Sequence, residues 1–314
     1  MRTDSERHRI VIICGPTGIG KTTAAIRLAQ HIGGQIVGAD SMQVYRHMDI
    51  GTAKPTPQEQ AAVPHHMIDV VDPDTPFDAV RYAAMASDCI DHLREAALPA
   101  VVAGGTGLYI KALVYGLFAA RKPDPRIRQR LERRAEAESA AELHAELRRR
   151  DPDSAARIHP NDRFRIIRAL ETLEATGRSL SDLQRRHGFK EKRFATFKIG
   201  LEIDRDALYA RINQRVEAMI AEGLVSEVQS LLDRGYHAEL KPMQALGYRH
   251  IVDHLSGQTT WDETVTLMKR DTRRYAKRQF TWFKSDPEIV WSEPDDVARL
   301  WPQIASFLQN PPGS

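Results

Sequence analysis

Eight consecutive residues constrain this chain more than any others: Gly15-Pro16-Thr17-Gly18-Ile19-Gly20-Lys21-Thr22. They fit the pattern of a glycine, four free positions, then Gly-Lys-Ser/Thr, in which the glycines let backbone N–H groups turn inward onto phosphate oxygens. The run before them, residues 10–14 (IVIIC), is β-branched and strand-like, and residues 22–32 have helical periodicity. A strand feeding such a loop into a helix N-terminus makes an oligophosphate site, because the helix end adds partial positive charge. Lys21 supplies a full charge there, and the Thr22 hydroxyl can ligate a phosphate-bound Mg²⁺ or donate a hydrogen bond. The loop by itself identifies neither the phosphate compound nor whether a phosphoryl group moves.

Further strand-like runs follow at 35–39 (QIVGA), 67–71 (MIDVV) and 99–103 (PAVVA), and residues 77–97 have the length and composition of a helix between two of them. Short apolar strands separated by helices are the pattern of a parallel sheet covered on both faces. The texture changes at 121–125 (RKPDP), where two prolines break the chain. Residues 126–150 are rich in Arg, Glu, Ala and Leu and favour helix, and 162–175 read as another helix. Residues 197–203 (FKIGLEI) look like a strand returning to the sheet, with a helix from about Asp206 to Gly223 behind it. The remainder reads as largely helical, ending in a disordered tail at 310–314. The expected architecture is therefore α/β. A P-loop NTPase-like core, a parallel sheet flanked by helices, spans 1–120 and 194–314 with a C-terminal helical part. A mainly helical, basic subdomain is inserted at 121–193.

The charge is uneven. The net +3 resolves into −2 for residues 1–120, +7 for 121–193 and −2 for 194–314. A second basic cluster, residues 269–284, holds seven Lys/Arg against Asp271 alone. One such stretch is as well explained by a solvated helix face. Two, the second interleaved with Tyr275, Phe280, Trp282 and Phe283, favour a nucleic acid partner. There is no apolar run of membrane-spanning length, and residues 1–9 carry no apolar signal core. Cys14 and Cys89 can form neither a disulfide framework nor a Cys-rich zinc site. The expectation is a cytoplasmic globular protein, with Cys14 a small buried residue. Adjacent His65 and His66 would point to opposite sides of an extended chain, which favours a structural role over metal ligation.

A phosphoryl-transfer enzyme needs an acid after a second apolar strand to organise Mg²⁺. The candidates are Asp40, Asp69 and Asp72, while the 99–103 run ends in Gly104-Gly105-Thr106-Gly107 without an acid. The residues alone leave open a small-molecule kinase, another kind of transferase and a non-catalytic RNA-binding module.

With these pieces assembled, the chain resembles the tRNA dimethylallyltransferases, also called tRNA isopentenyltransferases (the IPP transferase family). The likeness rests on GPTGIGKT at 15–22, ADSMQVYR at 39–46, GTAKP at 51–55, PHHMID at 64–69, AGGTGLY at 103–109, HPNDRFRIIRALE at 159–171, MQALGYR at 243–249 and RRYAKRQFTWF at 273–283. No C-terminal zinc-finger extension is expected, as in the shorter bacterial form. The resemblance implies transfer of the dimethylallyl group of dimethylallyl diphosphate to the exocyclic N6 amine of the adenosine at tRNA position 37, just 3′ of the anticodon, with diphosphate leaving. The loop residues Gly15, Pro16, Thr17, Gly18, Ile19, Gly20, Lys21 and Thr22, helped by Arg215 and by Mg²⁺ on Thr22, would then hold the leaving group.

Asp40 would be the general base, with Lys21 and Thr106 as its catalytic partners. Asp40, Ser41, Met42, Gln43 and Thr106 would meet the extruded adenine and its neighbours. Contacts to the anticodon stem-loop are implied for Phe164, Arg165, Ile166, Ile167 and Arg168. They are implied also for Gln244, Ala245, Leu246, Gly247, Tyr248 and Arg249, and for Lys277, Arg278, Gln279, Phe280, Thr281, Trp282, Phe283 and Lys284. The resemblance further implies a monomer.

Overall fold

The computed structural model describes residues 7–117, 125–188 and 191–309. In chain order the core begins β1 (Arg9–Cys14), α1 (Lys21–Ile32), β2 (Gln35–Gly38), α2 (Pro57–Ala62), β3 (His65–His66), α3 (Ala79–Glu95), β4 (Ala100–Gly104) and α4 (Gly107–Tyr115). Five helices follow: α5 (Pro125–Ala137), α6 (Ala140–Arg150), α7 (Pro152–Arg157), α8 (Arg163–Thr176) and α9 (Leu180–His187). The core then resumes with β5 (Ala195–Leu201), α10 (Arg205–Ala221), α11 (Leu224–Asp233), α12 (Tyr248–Leu255), α13 (Trp261–Lys284), β6 (Ile289–Ser292), a 3₁₀ segment (Pro294–Leu300) and α14 (Trp301–Gln309).

The sheet has six strands in the order β3-β2-β4-β1-β5-β6, and every neighbouring pair is parallel. Ile10, Val11, Ile12 and Ile13 of the central β1 are fully buried. That is the reason for a continuous β-branched run rather than an alternating one: helices cover both faces. Strand order reverses at β1, with β4 on one side and β5 on the other. The crevice beyond the carboxyl ends of the strands at such a reversal is where open α/β sheets take ligands.

The chain divides into two compact units, residues 1–114 with 193–314, and residues 115–192. The second has its own apolar centre, in which Leu131, Leu143, Leu147, Ile166 and Leu170 are fully buried.

Two local expectations need correction, and a third, helix over 126–150, is met with a break. Residues 67–71 are not a strand. Pairing with β2 stops at His66, and Met67 (φ 64°) and Asp69 (φ 55°) take left-handed turns, leaving a single bridge from Val71 to Tyr45. Residues 126–150 form two helices, because Ser139 caps the second by accepting from the Glu142 N–H while the Glu142 carboxylate accepts from the Ser139 N–H. The strand β6, inside a stretch expected to be helical, extends the sheet beside β5. The proline break at 121–124 and the tail at 310–314 lie outside the described residues.

Candidate active site

The loop between β1 and α1 turns on Gly18 (φ 80°) and Gly20 (φ 98°), conformations that a side chain would strain. Gly20 is the N-cap of α1 and no side chain caps that end, so the first N–H groups of the helix remain available to an anion. The Lys21 ammonium donates to the Pro16 carbonyl (2.8 Å), which folds it back over the loop. Burial, and then the charge of Arg215, push Lys21 down to about 8, while Asp40 acts in the opposite sense. Burial likewise lowers Arg215, again opposed by Asp40. Lys21, Arg215 and Asp40 thus form one electrostatic group.

Asp40 follows the end of β2. Its Oδ1 accepts from the backbone N–H groups of Met42 (2.8 Å) and Gln43 (3.4 Å), a local turn that fixes the carboxylate. No described residue donates to its Oδ2. Next to it the Ser41 N–H donates to the Thr106 hydroxyl oxygen (3.0 Å), and the Thr106 N–H donates to the Ala39 carbonyl (3.1 Å). The ends of β2 and β4 are therefore stitched together through Thr106. Of the other candidate acids, Asp69 is paired with Lys54 (2.6 Å) and Asp72 with Arg46 (3.1 Å).

Beside this group lies a cleft of about 340 Å³, a size suited to a small molecule. Thr17, Asp40, Ser41 and Met42 line it from the sheet end, and Ile212, Arg215, Val216 and Met219 from α10. Gly51, Thr52, residues 244–249 and Met268, Thr272, Tyr275 and Arg278 of α13 complete it. Charged and polar groups beside an apolar patch of Met42, Ile212, Val216, Met219 and Met268 suit a ligand that is anionic at one end and apolar at the other.

Gln43 and Glu227 also fix the backbone of this wall, a role the sequence did not reveal. The Glu227 carboxylate accepts from the consecutive N–H groups of Asp49, Ile50 and Gly51 (2.9, 2.7 and 3.1 Å) and from the Tyr248 hydroxyl (2.6 Å). Gln43 donates its side-chain amide to the carbonyls of Thr52 (3.2 Å) and Ala53 (3.0 Å), so that amide braces the 51–55 turn.

The expected RNA-contacting positions divide by helix phase. On α13, Lys277, Arg278, Thr281, Trp282 and Lys284 are exposed, whereas Gln279 and Phe283 are buried. Phe280 is half-buried, its ring 5.3 Å from that of Trp291. A run of eight consecutive helical residues faces every direction, so Gln279 and Phe283 are not surface contacts. Within 244–249, Gln244 is exposed, Ala245, Leu246 and Arg249 are half-buried, and Gly247 and Tyr248 are buried.

Arg249 pairs with Asp271 (2.7 Å), which also binds Arg270 (2.9 Å) and Arg274 (3.6 Å). Against the opposing effect of burial, hydrogen bonds from Arg270 and His250 bring Asp271 down to about 2. In the second unit, Phe164 and Arg165 are exposed on α8, but Ile166 and Ile167 belong to that unit's own core. Arg168 there binds the fully buried Glu171 (2.8 Å).

His65 Nδ1 lies 2.7 Å from the Val63 carbonyl and His66 Nε2 lies 2.6 Å from the Gln35 side-chain oxygen, so local partners hold both rings. Burial pushes the Cys14 thiol up to about 12. Among the described residues no helix is long and apolar enough to cross a membrane, and no cluster of three or more His, Cys, Asp or Glu could hold a metal ion.

Fold and site together define a P-loop-like α/β protein in which Thr17 of the glycine loop and Asp40 line one cleft. The chain belongs to the IPP transferase family, whose pattern matches residues 43–286, and the isopentenyl transferase pattern matches residues 8–69. It is 58% identical over 285 residues to the tRNA dimethylallyltransferase of Desulfosudis oleivorans, covering 91% of each chain. It is 53% identical over 295 residues to that of Syntrophobacter fumaroxidans, covering 94% of this chain and 86% of the relative. Among solved structures it is similar to the tRNA isopentenylpyrophosphate transferase of Bacillus halodurans, at 37% identity and TM-score 0.73 over 96% of this chain and 97% of that one. A eukaryotic dimethylallyltransferase acting on tRNA is similar at 25% identity and TM-score 0.80, over 97% of this chain and 80% of that one.

Proposed function

We infer that the protein is a tRNA dimethylallyltransferase. It joins C1 of dimethylallyl diphosphate to the exocyclic N6 amine of the adenosine 3′ of the anticodon. The C1–O bond breaks with its electron pair leaving on diphosphate, the new C–N bond forms, and the amine proton passes to Asp40. The adenine amine is a weak nucleophile because its lone pair is delocalised into the ring. The transfer therefore needs help at both ends, charge stabilisation on the departing diphosphate and a base on nitrogen.

The observation that carries this reading is that Asp40 shares one cleft with Thr17 and Arg215 while its Oδ2 stays open. Loop N–H groups, Lys21 and Arg215 meet the charge that builds on the leaving group. The Met42, Val216, Met219 and Met268 side chains suit the five-carbon tail. An adenine held inside an anticodon loop cannot reach such a cleft while stacked, so the base must be extruded. Unstacking costs a few kcal/mol, which contacts to the exposed basic residues of α13, Lys277 and Arg278, would offset.

The residues present fit a divalent cation, Mg²⁺: Thr22 is the second residue of α1, next to Lys21, and is only half-buried, so its hydroxyl would be the ligand. Bound there with the diphosphate, the ion would neutralise part of the phosphate charge. Proton removal remains the task of Asp40. A cytoplasmic monomer completes the reading, and sedimentation of the free chain tests the oligomeric part.

The direct test is incubation with labelled dimethylallyl diphosphate, labelled ATP and unmodified tRNA. Label from the prenyl donor should reach the tRNA with ATP unconsumed. Phosphoryl transfer from ATP would overturn the reading.

A further inference from the structure

We propose that Gln279 is a positioning residue for prenyl transfer, a carboxamide that holds the leaving-group loop in fixed register with the turn carrying the base. The proposal rests on the transfer activity inferred above. Gln279 lies on α13 and is 7% exposed, within a helix whose neighbouring Lys277 and Arg278 face solvent. Its Oε1 accepts from the Thr17 N–H (2.9 Å), and its Nε2 donates to the Gly105 carbonyl (2.8 Å).

Those two partners belong to different working parts. Thr17 is in the phosphate loop and lines the cleft. Gly105 precedes Thr106, whose hydroxyl oxygen holds the Ser41 N–H beside Asp40. The path Thr17–Gln279–Gly105–Thr106–Ser41–Asp40 therefore ties the diphosphate cradle to the proton acceptor.

A carboxamide offers an acceptor and a donor on separate atoms of one tip, and asparagine is a methylene shorter. The partner side is as restricted. A Cβ at Gly105 would lie 2.4 Å from Gln279 Nε2, so the close approach requires glycine there. One N–H of the loop is spent on Gln279 rather than on phosphate, which sets the loop's shape before the donor arrives. Preorganisation of that kind acts on the rate more than on the affinity.

Two variants test this. Gln279→Met keeps the volume and loses both bonds, while Gln279→Glu keeps the acceptor for Thr17 and loses the donor to Gly105. Each is compared with wild type for melting, for binding of inorganic diphosphate, for kcat and KM with both substrates, and for the salt dependence of tRNA binding. If both fold, kcat should fall about 10- to 100-fold, the range for a misplacement near 1 Å, with KM for the prenyl donor changed less than about threefold in Gln279→Met, which adds no charge. The tRNA affinity and its salt slope should be unchanged. A kcat within threefold of wild type, or a loss confined to tRNA binding with a shallower salt slope, overturns the proposal. So does the failure of both variants to melt cooperatively, because Gln279 would then be a strut of the core. Wild-type enzyme that transfers no prenyl group would instead sink the underlying activity, so the two failures are distinguishable.

Discussion

Replacing Asp40 by asparagine removes the base while keeping the turn that the residue holds. The Oδ1 that accepts from Met42 and Gln43 keeps its place as an amide oxygen, so the local turn survives. The other oxygen, Oδ2, becomes an NH₂ group that accepts no proton. General-base catalysis is worth about 10²–10⁴ in rate, or roughly 3–5.5 kcal/mol of transition-state stabilisation. The same change removes a negative charge that acts on both Lys21 and Arg215. Affinity for diphosphate should accordingly hold or tighten. Asp40→Ala should lose the same rate and, with the turn gone, a further 1–3 kcal/mol or so of stability. Single-turnover transfer of labelled dimethylallyl group to a tRNA transcript gives the first quantity, and titration with inorganic diphosphate gives the second. A rate for Asp40→Asn within threefold of wild type, or a matching loss of diphosphate affinity, would refute the assignment of Asp40 as base.

Lys21 sits at about 8 in the free protein, and a bound anion must raise it. Below that value the ammonium is already charged. Above it, binding has to take up a proton, so affinity for inorganic diphosphate should fall by up to about tenfold per pH unit. Calorimetry in two buffers should show the uptake rising toward one proton, and Lys21→Met should abolish it; persistence of the uptake in that variant would assign it elsewhere. Substituting both Lys277 and Arg278 by alanine should weaken tRNA binding and reduce the log–log salt slope by about 1.4, at about 0.7 per single-stranded phosphate contact. An unchanged slope removes them from the interface. Arg168→Ala would leave the fully buried Glu171 with only Arg128, 4.0 Å away, and should cost roughly 3 kcal/mol in urea unfolding. A variant as stable as wild type would show that Arg168 is free for RNA contact.

The parts of this structure legible in the sequence are those whose cause is local. β1, the glycine loop and α1 follow from a β-branched run, three glycines and a helix start within a few residues of one another. The parts that escaped depend on remote partners. Residues 67–71 have the composition of a strand, but Lys54 reaches across to Asp69, and two left-handed turns replace the pairing. β6 is four residues long, and only the β5 edge beside it makes it a strand. Asp40 stands out as a candidate because its position after a strand is itself a local signal. Glu227 and Gln279 were not, since each acts on backbone groups distant in sequence, and backbone N–H and C=O groups leave no trace in residue identity. A buried glutamine in a basic helix is the one hint that the sequence offered for the latter, and it is visible only once the helix phase is known.

What distinguishes this protein from a kinase is therefore not the phosphate cradle but what stands opposite it. Backbone N–H groups, a helix end and a lysine stabilise negative charge on phosphate oxygens whichever bond is breaking. A terminal phosphoryl group leaving for an acceptor and a whole diphosphate leaving from carbon present the cradle with the same kind of charge. The chemistry is decided by where the acceptor lies and what removes its proton. Asp69 and Asp72, engaged with Lys54 and Arg46, are committed elsewhere. The remaining acid, Asp40, is pinned through one oxygen and open through the other. A carboxylate held that way is placed to collect a proton from a neutral nucleophile. The cleft beside it has room for a five-carbon chain, and its exposed rim carries the cations that a polyanion as large as tRNA requires.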